Sequence, residues 1–205
     1  LMGLICGSEG LLGVITEATV KILKNPQVVK AALIGFPTIE EGGNAASEII
    51  SSGIVPAGME IMDKALIEAT DNFSKAGYPR DAELLLIVEL DGTVSEVDEL
   101  LNQVSNICKK NNCSSLKLSK NEKERLSFWA GRKAAFPACG AMAPDYYCMD
   151  GSIPRGKLAE ALLEIKTLSK KYNLPVANCF HAGDGNLHPL IMFDGSDKEQ
   201  LRKTE

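Results

Sequence analysis

The chain has two histidines in 205 residues, and both lie in NCFHAGDGNLHPLIMF, as His181 and His188 on either side of a Gly-Asp-Gly-Asn turn. If Asp184-Gly185 forms the two-residue loop of a hairpin, His181 faces His188 across the ladder, with Cβ atoms about 5 Å apart on one face. Two imidazoles so placed can converge on one divalent cation such as zinc, iron(II) or manganese. The flanking runs VANCF and LIMF are apolar on both faces, so the rings leave the end of a buried hairpin, where neutral imidazole is a good ligand. A third ligand would be a carboxylate or another histidine. Asp150, Asp184 and Glu60 are candidates by type, and spacing selects none of them. The same residues also suit a tight turn with two core histidines satisfied by backbone groups. A phosphate loop fits less well, because this glycine turn leads into a strand and not into a helix N-terminus.

A second group lies in NEKERLSFWAGRKAAF. On a helix, Phe128 and Phe136 sit four residues either side of Arg132 and Trp129 three before it, so the guanidinium emerges from an aromatic stripe and calls for an anion. A carboxylate held by the planar fork is one solution, and a nearby glutamate is the other. Lys133 shares part of the stripe. Tyr146 and Tyr147 in DYYCMDGSIP are either pocket-lining or core tyrosines.

Composition narrows the class. With 45% hydrophobic and 24% charged residues the chain reads as a globular protein. A net charge of -5 without a Lys/Arg cluster argues against nucleic acid or an anionic lipid surface and for a small ligand. No apolar run reaches membrane-spanning length, and LMGLICGSEGLL lacks the basic region and cleavage site of a secretory peptide, so the expectation is a cytoplasmic protein. The six cysteines are scattered and read as reduced packing residues. Leu1 opens inside a glycine-rich loop, and the last helix has barely two turns, so the chain reads as a fragment.

Along the chain, GVITEATVKIL alternates as a strand should, and VVKAALIGF is a second strand. Thr38 caps a helix to about Ser52, Asp63 caps KALIEATDNFS, and Thr93 or Ser95 caps a helix to about Lys110. GMEIM, ELLLIVELDG and SSLKLS read as strands between them. A helix from Asn121 to about Ala135, an extended DYYCMDGSIP, a helix over 157–172 and the histidine hairpin follow. The fold class is α+β: a ferredoxin-like antiparallel sheet with helices on one face.

Four ordered segments, GSEGLLGVITEATVKIL, WAGRKAAFPACG, PDYYCMDGSIPR and FHAGDGNLHPLI, resemble the FAD-linked oxidases of the vanillyl-alcohol oxidase type, over nearly the whole chain. The resemblance is closest within the group that includes glycolate oxidases and D-lactate and D-2-hydroxyglutarate dehydrogenases. It implies a FAD-dependent enzyme that oxidises a small 2-hydroxy acid to the 2-oxo acid, with residues 1–27 closing a FAD-binding domain and 28–205 forming a truncated substrate or cap domain. It places divalent-metal binding on His181 and His188, and the substrate carboxylate on Arg132, with Tyr147 beside it. It places Gly7, Ser8, Glu9, Gly10, Gly13, Val14 and Ile15 near the flavin, with Glu9 fixing the loop by hydrogen bonds. The third metal ligand and the histidine base belong to a Glu-His-Gly-Ile-Gly motif that this chain does not contain. Where some relatives carry a lysine this chain has Cys148, which favours a short substrate. In the glycolate-oxidising assembly electrons leave through partner subunits, one of them iron–sulfur, at the inner membrane face. A non-catalytic cap or docking module is the other reading such a fragment allows.

Overall fold

The computed structural model describes all 205 residues. In chain order its elements are α1 (Met2–Ile5), β1 (Val28–Phe36), α2 (Ile39–Ser51), β2 (Gly58–Asp63), α3 (Lys64–Ser74), β3 (Leu84–Gly92), α4 (Val94–Lys110) and β4 (Ser115–Leu118). There follow α5 (Glu122–Lys133), α6 (Ala135–Cys139), β5 (Asp145–Cys148), β6 (Gly151–Ser152), α7 (Leu158–Tyr172), β7 (Val176–His181), β8 (Asn186–Phe193) and α8 (Lys198–Thr204). No helix is long and apolar enough to cross a membrane.

The helices begin where the sequence places their caps. Thr38 accepts from Glu41 N, Asn121 from Glu124 N, and Thr93 closes a reciprocal capping box with Glu96. Asp63 accepts from Leu66 N at 3.1 Å and also from the backbone and side-chain amides of Asn178 at 3.0 and 2.6 Å, tying the end of β2 to β7. Burial pushes the Asp63 carboxyl up to about 6, against the opposing pull of those bonds. The expected helix from Asn121 to Ala135 divides at Ala134 into α5 and α6.

All pairings are antiparallel, in the order β4-β1-β3-β2-β7-β8-β5, with β6 also on β8. The first four strands with α2 and α4 form the βαββαβ unit of the ferredoxin-like arrangement, and β7, β8 and β5 extend the sheet beyond β2. The α+β class stands, but the helices cover both faces. Alternate residues of β1 show why: Ala32, Ile34 and Phe36 join a core with α2, α4 and α7, whereas Ala31 and Leu33 join a core with α3, α5 and α6. A strand that is apolar on both sides needs cover on both sides, and ELLLIVELDG is such a strand.

The alternating run GVITEATVKIL forms no strand. Val14, Ile15, Val20, Ile22 and Leu23 are all exposed, and no strand of the chain pairs with them. Alternation marks a segment able to be half-buried, but a ladder also needs a partner.

Candidate active site

Four polar side chains meet where β2, β7 and β8 end on the α3/α5/α6 face. Glu60 on β2 lies directly opposite His181 on β7, which lies opposite Asn186 on β8. Directly opposed residues share a face, so these three form a row across the sheet. The expected register places His181 opposite His188. In the structure His188 lies opposite Cys179, two residues further along, and the histidines are diagonal neighbours. They still share a face, and their rings meet edge to face with centroids 5.1 Å apart.

The turn explains the shift. Its four residues, Ala182 to Gly185, close through two bonds to His181 O, from Asp184 N and Gly185 N, each 3.1 Å. Only Gly185 has positive φ (+73°), whereas a type I′ pair needs positive φ at both central residues. A Cβ on Gly185 would also lie 2.4 Å from Ile153 O, so the strap after β6 presses on this turn.

Each imidazole turns Nδ1 toward a carboxylate. His181 Nδ1 lies 2.6 Å from Glu60 Oε1, and His188 Nδ1 lies 3.7 Å from Asp150 Oδ1. Glu60 is 9% exposed and uses its other oxygen, Oε2, to accept from Arg132 Nε at 2.8 Å. With both oxygens engaged, Glu60 is not a free third ligand, and no group of three His, Cys, Asp or Glu side chains is placed to hold a metal ion. Cys179, opposite His188, has its thiol pushed up to about 12 by burial, so it stands there as a neutral thiol. What the chain offers a cation is two imidazoles with their outer nitrogens unpartnered, of which His181 is backed at Nδ1 by a carboxylate, the arrangement usual for metal-binding histidine.

Arg132 is held from below by Tyr78. The buried phenol donates to Phe128 O at 2.6 Å and accepts from Arg132 N at 3.0 Å. Gly131 permits this, since a Cβ there would sit 2.3 Å from the Tyr78 ring. The Arg132 side chain is 13% exposed, whereas Lys133 points outward, so the stripe resolves in favour of the arginine. Its Nε is committed to Glu60, and neither terminal amine has a partner. Phe128 is buried beside it, Trp129 donates its indole N–H to Glu89, and Phe136, on α6, packs tilted against Tyr146 with centroids 6.2 Å apart.

The other expected residues lie elsewhere. Tyr147 pairs with Ile191, which faces away from His188, so strand alternation sends it to the opposite side of the sheet. Tyr146 and Cys148 take the histidine side. Gly7, Ser8, Glu9, Gly10, Gly13, Val14 and Ile15 lie on the separate, largely exposed N-terminal stretch. Glu9 has φ of +50° between Gly7 and Gly10 at about +80°. Asn186 and Tyr78 are site residues that motif reading passed over. Asn186, with a buried Oδ1 that has no partner, was within reach by alternation, two residues before His188. Tyr78 carried no local signal.

This sheet and site define a class. Residues 25–205 match the family of FAD linked oxidases, C-terminal domain, and the chain belongs to that family. Over all 205 residues it is 50% identical to glycolate oxidase subunit GlcD of Escherichia coli (strain K12), covering 41% of that protein. It is 36% identical over 207 residues to the mitochondrial D-lactate dehydrogenase [cytochrome] of Arabidopsis thaliana, covering the whole chain and 36% of the relative. The chain therefore spans about two fifths of these curated relatives. Among solved structures, alkyldihydroxyacetonephosphate synthase superposes with a TM-score of 0.65 at 19% identity, over 97% of this chain and 42% of that one. The substrate-bound p-cresol methylhydroxylase gives 0.61 at 14% identity, over 87% and 41%. These two establish the shared fold.

Proposed function

We propose that this chain is the substrate-facing part of a FAD-linked oxidoreductase that converts a short 2-hydroxy acid, glycolate or D-lactate, to its 2-oxo acid. The observation that carries the reading is the unpartnered end of Arg132 beside two imidazoles whose outer nitrogens are also free, on one face of the sheet. A 2-hydroxy acid presents a carboxylate and a hydroxyl on adjacent carbons. The two terminal amines of Arg132 match the two carboxylate oxygens, and the imidazoles match the hydroxyl end. FAD supplies the hydride acceptor, and a divalent cation supplies Lewis acidity toward the hydroxyl. His181 and His188 are the residues that would hold the cation.

The chain's own share of the chemistry is binding and orientation. Arg132 fixes the acid end, and its enclosure strengthens that ion pair by keeping water away. Tyr146 and Cys148 stand on the same side of the sheet as the two imidazoles. Residues 1–27, with Gly7–Ile15 at the flavin, close a preceding FAD-binding domain, and 28–205 form the substrate domain. The relative named as an oxidase subunit supports assembly with further subunits.

The test uses the flavin-bearing protein that contains this chain. Flavin reduction by glycolate and by D-lactate is followed in the parent and in Arg132→Met. Removing one buried partner of a carboxylate should cost about 2–4 kcal/mol, roughly a 30- to 1000-fold loss in kcat/KM, carried mainly by KM. A flavin that neither acid reduces, or an Arg132→Met protein with unchanged KM, overturns the assignment. The preferred acid separates a glycolate oxidase from a D-lactate dehydrogenase.

A further inference from the structure

We propose that Glu60 is the positioning residue of this site, setting the tautomer of His181 with one carboxylate oxygen and the heading of Arg132 with the other. The inference rests on the 2-hydroxy-acid reading above and deepens it, by assigning what holds the metal arm and the carboxylate arm in fixed relation.

Three observations carry it. Glu60 touches both groups, at 2.6 Å from His181 Nδ1 and 2.8 Å from Arg132 Nε, and no other side chain bonds to both. It is buried with Arg132 as the compensating charge, and each of its two oxygens is directed at a different one of these groups. It stands opposite His181 in the β2–β7 ladder, which fixes its reach by main-chain pairing. An acceptor at Nδ1 requires the hydrogen to sit there. That leaves the lone pair on Nε2, the nitrogen turned away from Glu60 and available to a cation or a hydroxyl. On the arginine, engaging Nε uses one side of the guanidinium and leaves the paired terminal amines for a second carboxylate. Glu60 on β2, Arg132 on α5 and His181 on β7 are 72 and 121 residues apart in sequence, so this carboxylate joins elements that no local contact relates.

His188 supplies the contrast. Its carboxylate neighbour, Asp150, is at 3.7 Å and 73% exposed, too long for a hydrogen bond and solvated, so nothing fixes that ring as firmly.

Replacing glutamate by its uncharged isostere separates orientation from mere packing. In Glu60→Gln the amide oxygen can still accept from Arg132, while the NH₂ now faces His181 Nδ1 and demands an acceptor there, so the hydrogen moves to Nε2. The experiment is a long-range ¹H–¹⁵N correlation of the imidazoles in the metal-free, ¹⁵N-labelled chain, at a pH where imidazole is neutral. With two histidines in the chain, His188→Gln assigns both rings. The expected result is the Nδ1–H pattern for His181 in the native protein and the Nε2–H pattern in Glu60→Gln, with backbone spectra otherwise alike. Zinc affinity, read by chelator competition, should fall about 10- to 100-fold in the same variant. A native His181 that carries its hydrogen on Nε2 overturns the proposal, as does a tautomer that Glu60→Gln leaves unchanged. The native spectrum can refute it even if the variant does not fold. If the tautomer follows Glu60 and the native chain takes up no zinc, the positioning role stands and the metal reading falls.

Discussion

The two faces of the sheet divide the labour differently. Beneath α2, α4 and α7, 23 buried residues form a continuous apolar core. Beneath α3, α5 and α6, 16 do so, and at the end of β2, β7 and β8 that core gives way to Glu60, Arg132, His181 and His188. The pleat makes the division sharp. Ile61, Phe180 and Leu187 belong to the first core, and their chain neighbours Glu60, His181 and His188 carry the site. Adjacent residues therefore serve stability and chemistry separately, because successive side chains point to opposite sides.

Single substitutions can break or sharpen that division. Phe180→Ala, one residue from His181 but on the other face, should cost about 3–5 kcal/mol in urea unfolding. It should leave the His181 tautomer as it was, and a variant that loses imidazole order together with stability would show the faces to be coupled. Gly131→Ala, on the site face, forces the Tyr78 ring out of α5 and should cost about 1–3 kcal/mol, with a rise in substrate KM because Arg132 shifts. Tyr78→Phe removes the bond to Phe128 O and the acceptor for Arg132 N, and should lose about 1–3 kcal/mol by thermal or urea denaturation.

Asp63 offers a probe by pH. Its folded carboxyl is raised to about 6 from an ordinary 3.8, so the folded state holds this proton more tightly than the unfolded one. Its contribution is full below about pH 4 and is lost as pH rises through about 6, opposite in sign to that of Asp71, whose pKa is lowered despite burial by Arg80 and the Tyr78 and Gly77 amides. A ¹³C titration of the Asp63 carboxyl should show a midpoint near 6. The smallest effect is expected for Asp150→Asn, within about 0.5 kcal/mol of native stability, since its carboxylate is mostly solvated.

Much of the framework was legible because it is local. Thr38, Asp63, Thr93 and Asn121 each cap the helix they announce, since a cap needs only a side-chain oxygen and an amide two or three residues on. The histidine pair was legible for a similar reason: any register that differs by an even number of residues keeps both rings on one face. The register itself was not, because the turn closes over Ala182 to Gly185 instead of centring on Asp184-Gly185, a shift of one residue that the glycines on either side leave open. Nor could spacing choose among Asp150, Asp184 and Glu60, because the pairing of β2 with β7 spans 121 residues between Glu60 and His181. Helices cover both faces and not one, because strands such as ELLLIVELDG are apolar on both sides. The alternation in GVITEATVKIL was real, but nothing in this chain is there to meet it.

The diagonal relation of the histidines ties their meeting to a two-residue offset in the ladder. His181 pairs with Asn186 and His188 with Cys179, so the rings, 5.1 Å apart, are held together by main-chain register and not by any bond between them. A slip of one residue would send one of the two rings to the opposite face and dissolve the pair, so the turn between β7 and β8 guards the site as well as closing the hairpin.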